Sequence, residues 1–252
     1  MDNLKNKKIY LWLIFSLSLF VILLDIVFCF TIVTSYNSLK GEEPYTILYW
    51  LSFFTHWSNV LACVWATYEL INIYWLKNES KNTYLKQLTF STIILTGIIA
   101  FPILWAKEIF NDMLVLFQLS DLKGWDSSQL HFSQELFVTI DALVTTLFHV
   151  VVPLLCFFYF IKNGKLSKEM SKEEEKRNLL FNLLYISIYF IWVLILTSLL
   201  NIQNPYPFED FGNYNKWYVN LEALAINIFI GLLFIVINIK LVSYNNKFYK
   251  DK

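Results

Sequence analysis

Residues 9–35 read IYLWLIFSLSLFVILLDIVFCFTIVTS, an apolar run interrupted by one charged side chain, Asp25. An α-helix needs about 20 apolar residues to cross the roughly 30 Å hydrocarbon core of a bilayer. A transmembrane strand takes about 9–11 and alternates with period two, and this run does not alternate. Lipid offers no partners to backbone N–H and C=O groups, so such a segment closes its own hydrogen bonds as a helix. Lys5, Lys7 and Lys8 in front of it imitate the start of a signal peptide. The apolar run exceeds the 7–15 residues of a signal core and no A-x-A site follows, so it reads as a retained helix.

Working outward, the same scan gives further spans near 46–70, 88–106, 137–161, 179–200 and 218–240. The expectation is an all-α polytopic membrane protein, residues 1–252 forming a single domain of six transmembrane helices around a polar cavity. Composition agrees: of 252 residues, 57% are hydrophobic and 16% charged, against about 25% charged in soluble domains. Tyr10, Trp12, Tyr49, Trp50, Tyr74, Trp75, Trp105, Trp217 and Tyr218 gather near span ends, as an aromatic belt at headgroup depth does.

Composition also excludes functions. Lys and Arg balance Asp and Glu at 20 each, so no net charge draws the chain to nucleic acid. Six glycines form no GxGxxG or GxxxxGK[ST], which excludes Rossmann and P-loop chemistry. Cys29, Cys63 and Cys156 lie in apolar runs without a CxxC and read as small buried side chains. His56, His131 and His149 show no HExxH spacing. No metal and no cofactor is implied.

Sixteen of the 20 basic residues lie in the N-terminus, the second-to-third loop, the fourth-to-fifth loop and the C-terminal tail; Lys40, Lys107, Lys123 and Lys216 lie on the other side. The positive-inside rule then puts both termini in the cytoplasm. The SKEMSKEEEKR run in the fourth-to-fifth loop reads as a solvated charged helix or loop. Its lysines suit a lipid surface, offset by Glu169, Glu173, Glu174 and Glu175. Outside, residues 107–130 suggest an interfacial helix or lid. Nineteen lysines to one arginine, with abundant Asn, Ile and Phe, suggest an AT-rich genome and a bacterial plasma membrane.

Charges and histidines within a membrane helix are expensive, so each is a candidate functional residue. Counting about 1.5 Å per residue from the outer ends, Asp25, Thr55 and His149 fall at one level, roughly 16–18 Å deep by that rise. Span two carries a stripe of Ser52, Thr55, Ser58 or Asn59, and Ala62. Span six carries Asn220, Ala223, Asn227, Gly231 and Asn238. Small and amide side chains at this spacing also serve helix packing. In span four, Asp141, Thr145 and His149 share a drifting face. Pro153 lacks the N–H that would bond the His149 carbonyl, which predicts a kink there. A threonine beside a histidine is raw material for nucleophilic catalysis, and a carboxylate such as Asp25 would fix the ring tautomer.

Three segments, SFFTHWSN (52–59), FHVVVP (148–153) and NPYPFED (204–210), occur in that order on a six-span chain. In this the sequence resembles the androgen-induced-gene-one-like membrane proteins, which include bacterial members. The resemblance implies a multi-pass threonine hydrolase that cleaves fatty acid esters of hydroxy fatty acids, with Thr55 and His149 as catalytic pair. His56, directly after Thr55, departs from the pattern and is a rival base. Asp25, Asn59, Ser52, Asn227 and Pro153 are the expected cavity or supporting residues. Asn204, Pro205, Tyr206, Pro207, Phe208 and Asp210 form the expected loop over the entrance, with two prolines restricting its backbone. The substrate expected is a lipid acyl ester drawn from the membrane, with no cofactor. The alternative is a non-catalytic lipid or small-molecule binding protein or carrier using the same polar pocket, or an assembly protein using its charged loop.

The basic split makes a topological prediction. A cysteine placed at position 172 is labelled only from the cytoplasmic side and one at position 209 only from outside, as read with impermeant maleimides in intact cells; the reverse pattern overturns the orientation.

Overall fold

In the computed structural model of the chain, residues 2–33, 47–51, 53–77, 83–104, 139–140, 143–163, 169–199 and 217–250 are described, and a helix lies on each of the six apolar stretches. α1 (Asp2–Val27) runs on through a π-helical turn at Phe28–Val33. A single turn, α2 (Ile47–Trp50), precedes α3 (Phe54–Ile71), which ends in a second π-helical turn at Asn72–Leu76. α4 is Thr83–Leu104. α5 (Val152–Asn163) follows a π-helical turn at Leu147–Val151. α6 is Lys172–Leu199 and α7 is Trp217–Lys250.

Four segments, Leu4–Phe30, Leu143–Asn163, Lys172–Leu196 and Asn227–Lys247, are long and apolar enough to cross a membrane. Leu23, Val27, Leu180, Leu184, Ile191, Ile228 and Phe229 on α1, α6 and α7 are each more than half exposed. Water does not tolerate apolar patches of that extent on a monomer, whereas lipid tails wet them. The chain is a membrane protein.

α3 and α4 differ from these four because they lie inside the bundle. α4 packs against α3, α5, α6 and α7, and α3 packs most extensively on α1. Thr55, His56, Ser58, Asn59 and Glu69 of α3 are buried, as are Lys86, Gln87, Thr89, Ser91, Thr92 and Thr96 of α4. Carbonyls of their own helix partner Thr89 and Thr92, and neighbouring helices add partners for Asn59, Glu69, Gln87, Ser91 and Thr96, so neither helix has to be apolar all round. Along α1 and into the turn after it, the buried positions Leu11, Ile14, Ser18, Val21, Asp25 and Phe28 step by three and four, the seam spacing of packed helices. That register is what turns Asp25 into the bundle.

Successive long helices alternate in direction. At one end Lys7 approaches Glu69 (3.8 Å), Lys162 donates to the Tyr10 hydroxyl (3.2 Å), and Gln87 Nε2 donates to the Asn238 carbonyl (3.3 Å). Asn178 donates to Asn238 Oδ1 (3.3 Å) and Asn238 to Ser91 (3.2 Å). This end carries the starts of α1, α4 and α6 and the ends of α3, α5 and α7. The charged run before α6 is built as a capping box: Glu174 N–H donates to Ser171 Oγ (3.3 Å) while Ser171 N–H donates to Glu174 Oε2 (2.9 Å).

The proline on α5 behaves as its chemistry requires. The Val152 N–H reaches back five residues to the Leu147 carbonyl, so a π-helical turn absorbs the missing donor of Pro153. α4 crosses here at Gly97, where an added Cβ would lie 2.9 Å from Pro153 Cβ. A Cβ at Gly231 on α7 would meet nothing within 4 Å. Gly97→Ala therefore lowers the melting temperature in detergent, since overpacking costs about 1–3 kcal/mol. Gly231→Ala leaves it unchanged or raises it, a helical glycine being about 0.5–1 kcal/mol worse than alanine. Equal behaviour of the two variants would contradict the crossing.

Candidate active site

Thr55 and His149 meet. Thr55 Oγ1 lies 3.0 Å from His149 Nε2, and His149 Nδ1 lies 2.9 Å from the Thr145 carbonyl of its own helix. A carbonyl only accepts, so the ring proton sits on Nδ1 and the lone pair of Nε2 faces the hydroxyl. Thr55 donates to His149. The orienting group is the main chain of Thr145 rather than a carboxylate such as Asp25.

The position of Thr55 also departs from the expected continuous span 46–70. The helix is broken between Trp50 and Phe54, with Phe53 extended (φ −83°, ψ 122°). No Gly or Pro causes the break. An unbroken helix would use the N–H groups of residues 54 and 55 to satisfy the carbonyls of Trp50 and Leu51. Beside one long main-chain bond, from the Phe53 N–H to the Trp50 carbonyl (3.4 Å), aromatic side chains do so instead. His56 Nδ1 donates to the Trp50 carbonyl (2.6 Å), and the indoles of Trp57 (2.7 Å) and Trp192 (3.1 Å) donate to that of Leu51. Thr55 thus stands in the first turn of α3, at the positive end of its dipole.

Asp25 pairs with the neighbour of Thr55. Its Oδ2 accepts from the Trp50 indole (2.6 Å) and lies 3.1 Å from His56 Nε2, and its Oδ1 accepts from the Cys29 thiol (3.4 Å). His56 is stacked on Trp50 at 4.4 Å between ring centroids and is flanked by Phe53 and Phe148. Its Nδ1 proton is committed to the Trp50 carbonyl, so a second proton occupies the Nε2···Oδ2 contact: two bare acceptors would repel at that distance. The pair is an imidazolium–carboxylate pair or its neutral tautomer, and either form has zero net charge. Side chains at i and i+1 diverge on a helix, and His56 is turned to Asp25 while Thr55 is turned to His149.

Asn59 ties the two catalytic candidates together. Its Nδ2 donates to the Thr55 carbonyl (2.9 Å) and to the Phe148 carbonyl (3.2 Å), which precedes His149. Its buried Oδ1 has no hydrogen-bond partner among the described residues. Thr96 of α4 donates to Ser58 Oγ (2.8 Å), and Ser58 donates to the Thr55 carbonyl (2.9 Å). Three helices thereby fix the backbone of Thr55.

The structure brings together Thr55, His149 and Asn59, with Pro153 one turn beyond His149. Asp25 joins through His56. Asn227 lies half-buried on α7. Ser52, the 204–210 loop, His131, Asp141 and residues 107–130 lie outside the described residues. Among the described residues no group of three His, Cys, Asp or Glu is arranged to hold a metal ion, and both nitrogens of His56 are already engaged. The Thr145 carbonyl, the His56–Asp25 contact and the Thr96–Ser58 link were not read from the sequence; for the second, the seam spacing of span one carried the signal. No family model, curated protein or solved structure matches the chain.

Breaking a buried pair by removing one partner costs about 3–5 kcal/mol. Asp25→Ala and His56→Ala each destabilise on that scale in denaturant titrations in detergent, and the double variant loses well short of the sum. Additive losses would show that the two residues do not interact.

Proposed function

We propose that this chain is a membrane-embedded hydrolase of lipid acyl esters, with Thr55 as nucleophile and His149 as general base and then acid. The observation that carries the reading is the hydrogen bond from Thr55 to His149 Nε2, with Nδ1 held by the Thr145 carbonyl. A nucleophile, a base and an orienting acceptor in line are the parts that activate an alcohol. The resemblance of SFFTHWSN, FHVVVP and NPYPFED to the androgen-induced-gene-one-like proteins supports the same pair. In this reading six helices cross a bacterial plasma membrane with both termini cytoplasmic.

The chemistry follows from the geometry. His149 takes the Thr55 proton as Oγ1 attacks the ester carbonyl carbon, and the tetrahedral oxyanion forms. It is stabilised at the positive end of the α3 dipole, where an anion gains about 0.3–1 kcal/mol or more. The imidazolium, stabilised through Nδ1 by the Thr145 carbonyl, protonates the departing alcohol and leaves an acyl-threonine. Water, deprotonated by His149, then attacks the acyl carbon; Thr55 Oγ1 departs and regains the proton. The carbonyl carries only a partial charge, so it stabilises the imidazolium less than an aspartate would. Asn59 keeps nucleophile and base in register.

Ester hydrolysis in liposomes, across a panel of acyl esters, tests the assignment. Thr55→Val and His149→Ala each abolish turnover, and the double variant is scarcely worse than either, since both remove the same step. Thr55→Ser retains part of the activity because the hydroxyl remains. Turnover surviving in both single variants would remove these residues from the mechanism. Lipid binding without turnover in the wild type, weakened by about 1–2 kcal/mol in Thr55→Val as for one lost hydrogen bond, would mark a binding protein or carrier.

A further inference from the structure

At the end of the bundle opposite Thr55, α6 and α7 part to form a cleft of about 610 Å³. Its walls change character with depth along the helices. Leu179 on α6 and Ile239 and Val242 on α7 give an apolar stretch beside Asn238 and Ser243, and the exposed Lys172, Lys176 and Lys247 stand at the mouth. Those lysines lie where two membrane-crossing segments, Lys172–Leu196 and Asn227–Lys247, reach their polar ends, which is headgroup level. Of the glutamates in the 169–175 run, only Glu175 lines the cleft. Glu174 is used in the capping box with Ser171. Glu175, the acid that lines the cleft, accepts from Asn246 Nδ2 at 2.6 Å. Asn246 also exchanges hydrogen bonds with the backbone of Met170 (2.9 and 3.1 Å), which fastens the chain before α6 to α7 and builds that wall. Among the described residues no ion pair reaches Lys172, Lys176 or Lys247.

We infer that this cleft binds an anionic phospholipid, its phosphate between Lys172, Lys176 and Lys247 and an acyl chain along Leu179, Ile239 and Val242. Charge complementarity selects the headgroup, since three lysines outnumber the one acid that lines the cleft. The apolar wall selects a lipid over a free phosphate, which would leave that wall unused. The cleft lies at the far end of the bundle from Thr55 and His149, so its occupant is distinct from any ester processed there.

The test is native mass spectrometry of the full chain released from bilayers of mixed phosphatidylglycerol and phosphatidylcholine. Phosphatidylglycerol is retained over phosphatidylcholine, and Lys172→Gln, Lys176→Gln and Lys247→Gln each reduce its retention about fivefold, the effect of one basic residue at an anionic surface. Ile239→Trp, which obstructs the apolar wall and leaves the lysines in place, reduces it as well. Unchanged melting temperatures in phosphatidylcholine show that the variants remain folded. Equal retention of the two lipids, or full retention in the triple glutamine variant, overturns the inference. Inorganic phosphate raising the melting temperature as much as phosphatidylglycerol does overturns the lipid assignment.

Discussion

Two backbone carbonyls, those of Trp50 and Leu51, govern the geometry of the site. Inside a bilayer every such group needs a partner, and the ordinary solution is the next turn of helix. Here His56, Trp57 and Trp192 provide donors from side chains, which lets α3 begin afresh at Phe54. The break costs little because no carbonyl is abandoned. What it gains is a helix terminus within the bundle, with a threonine in its first turn.

The rest of the arrangement follows from holding that terminus still. Asp25 arrives on the buried seam of α1 and takes both the Trp50 indole and His56, so the segment before α3 is gripped from a second helix. Asn59 and Ser58 bind the Thr55 carbonyl from below, and Asn59 spans to Phe148. Pro153 and Gly97 let α4 and α5 approach closely just past His149. Thr55 and His149 stand on different helices, yet they are joined through one amide.

Much of this was legible in the sequence. Apolar length foretold helices on all six stretches, and Pro153 foretold a backbone irregularity at His149, realised as a π-helical turn. Thr55 and His149 were singled out by polar groups sharing one depth and by the motif resemblance. The helix break was not legible, because it is made by side chains that return to carbonyls six residues back and, for Trp192, from a distant helix. The partner of Asp25 stayed open for a related reason: depth alone cannot separate His56 from His149 when they lie close together. The orienting Thr145 carbonyl was hidden because main-chain acceptors carry no residue signature.

The Asp25–His56 contact also bears on how the protein responds to an electric field. A membrane potential does work on net charge, about 2.3 kcal/mol per elementary charge carried across 100 mV. This pair has none in either tautomeric form. A proton passing between ring and carboxylate moves across 3.1 Å, on the order of a tenth of a hydrocarbon core about 30 Å thick. The field then contributes at most about 0.2 kcal/mol per 100 mV, below thermal energy. The field therefore does little work on this pair, whichever of the two atoms holds the proton.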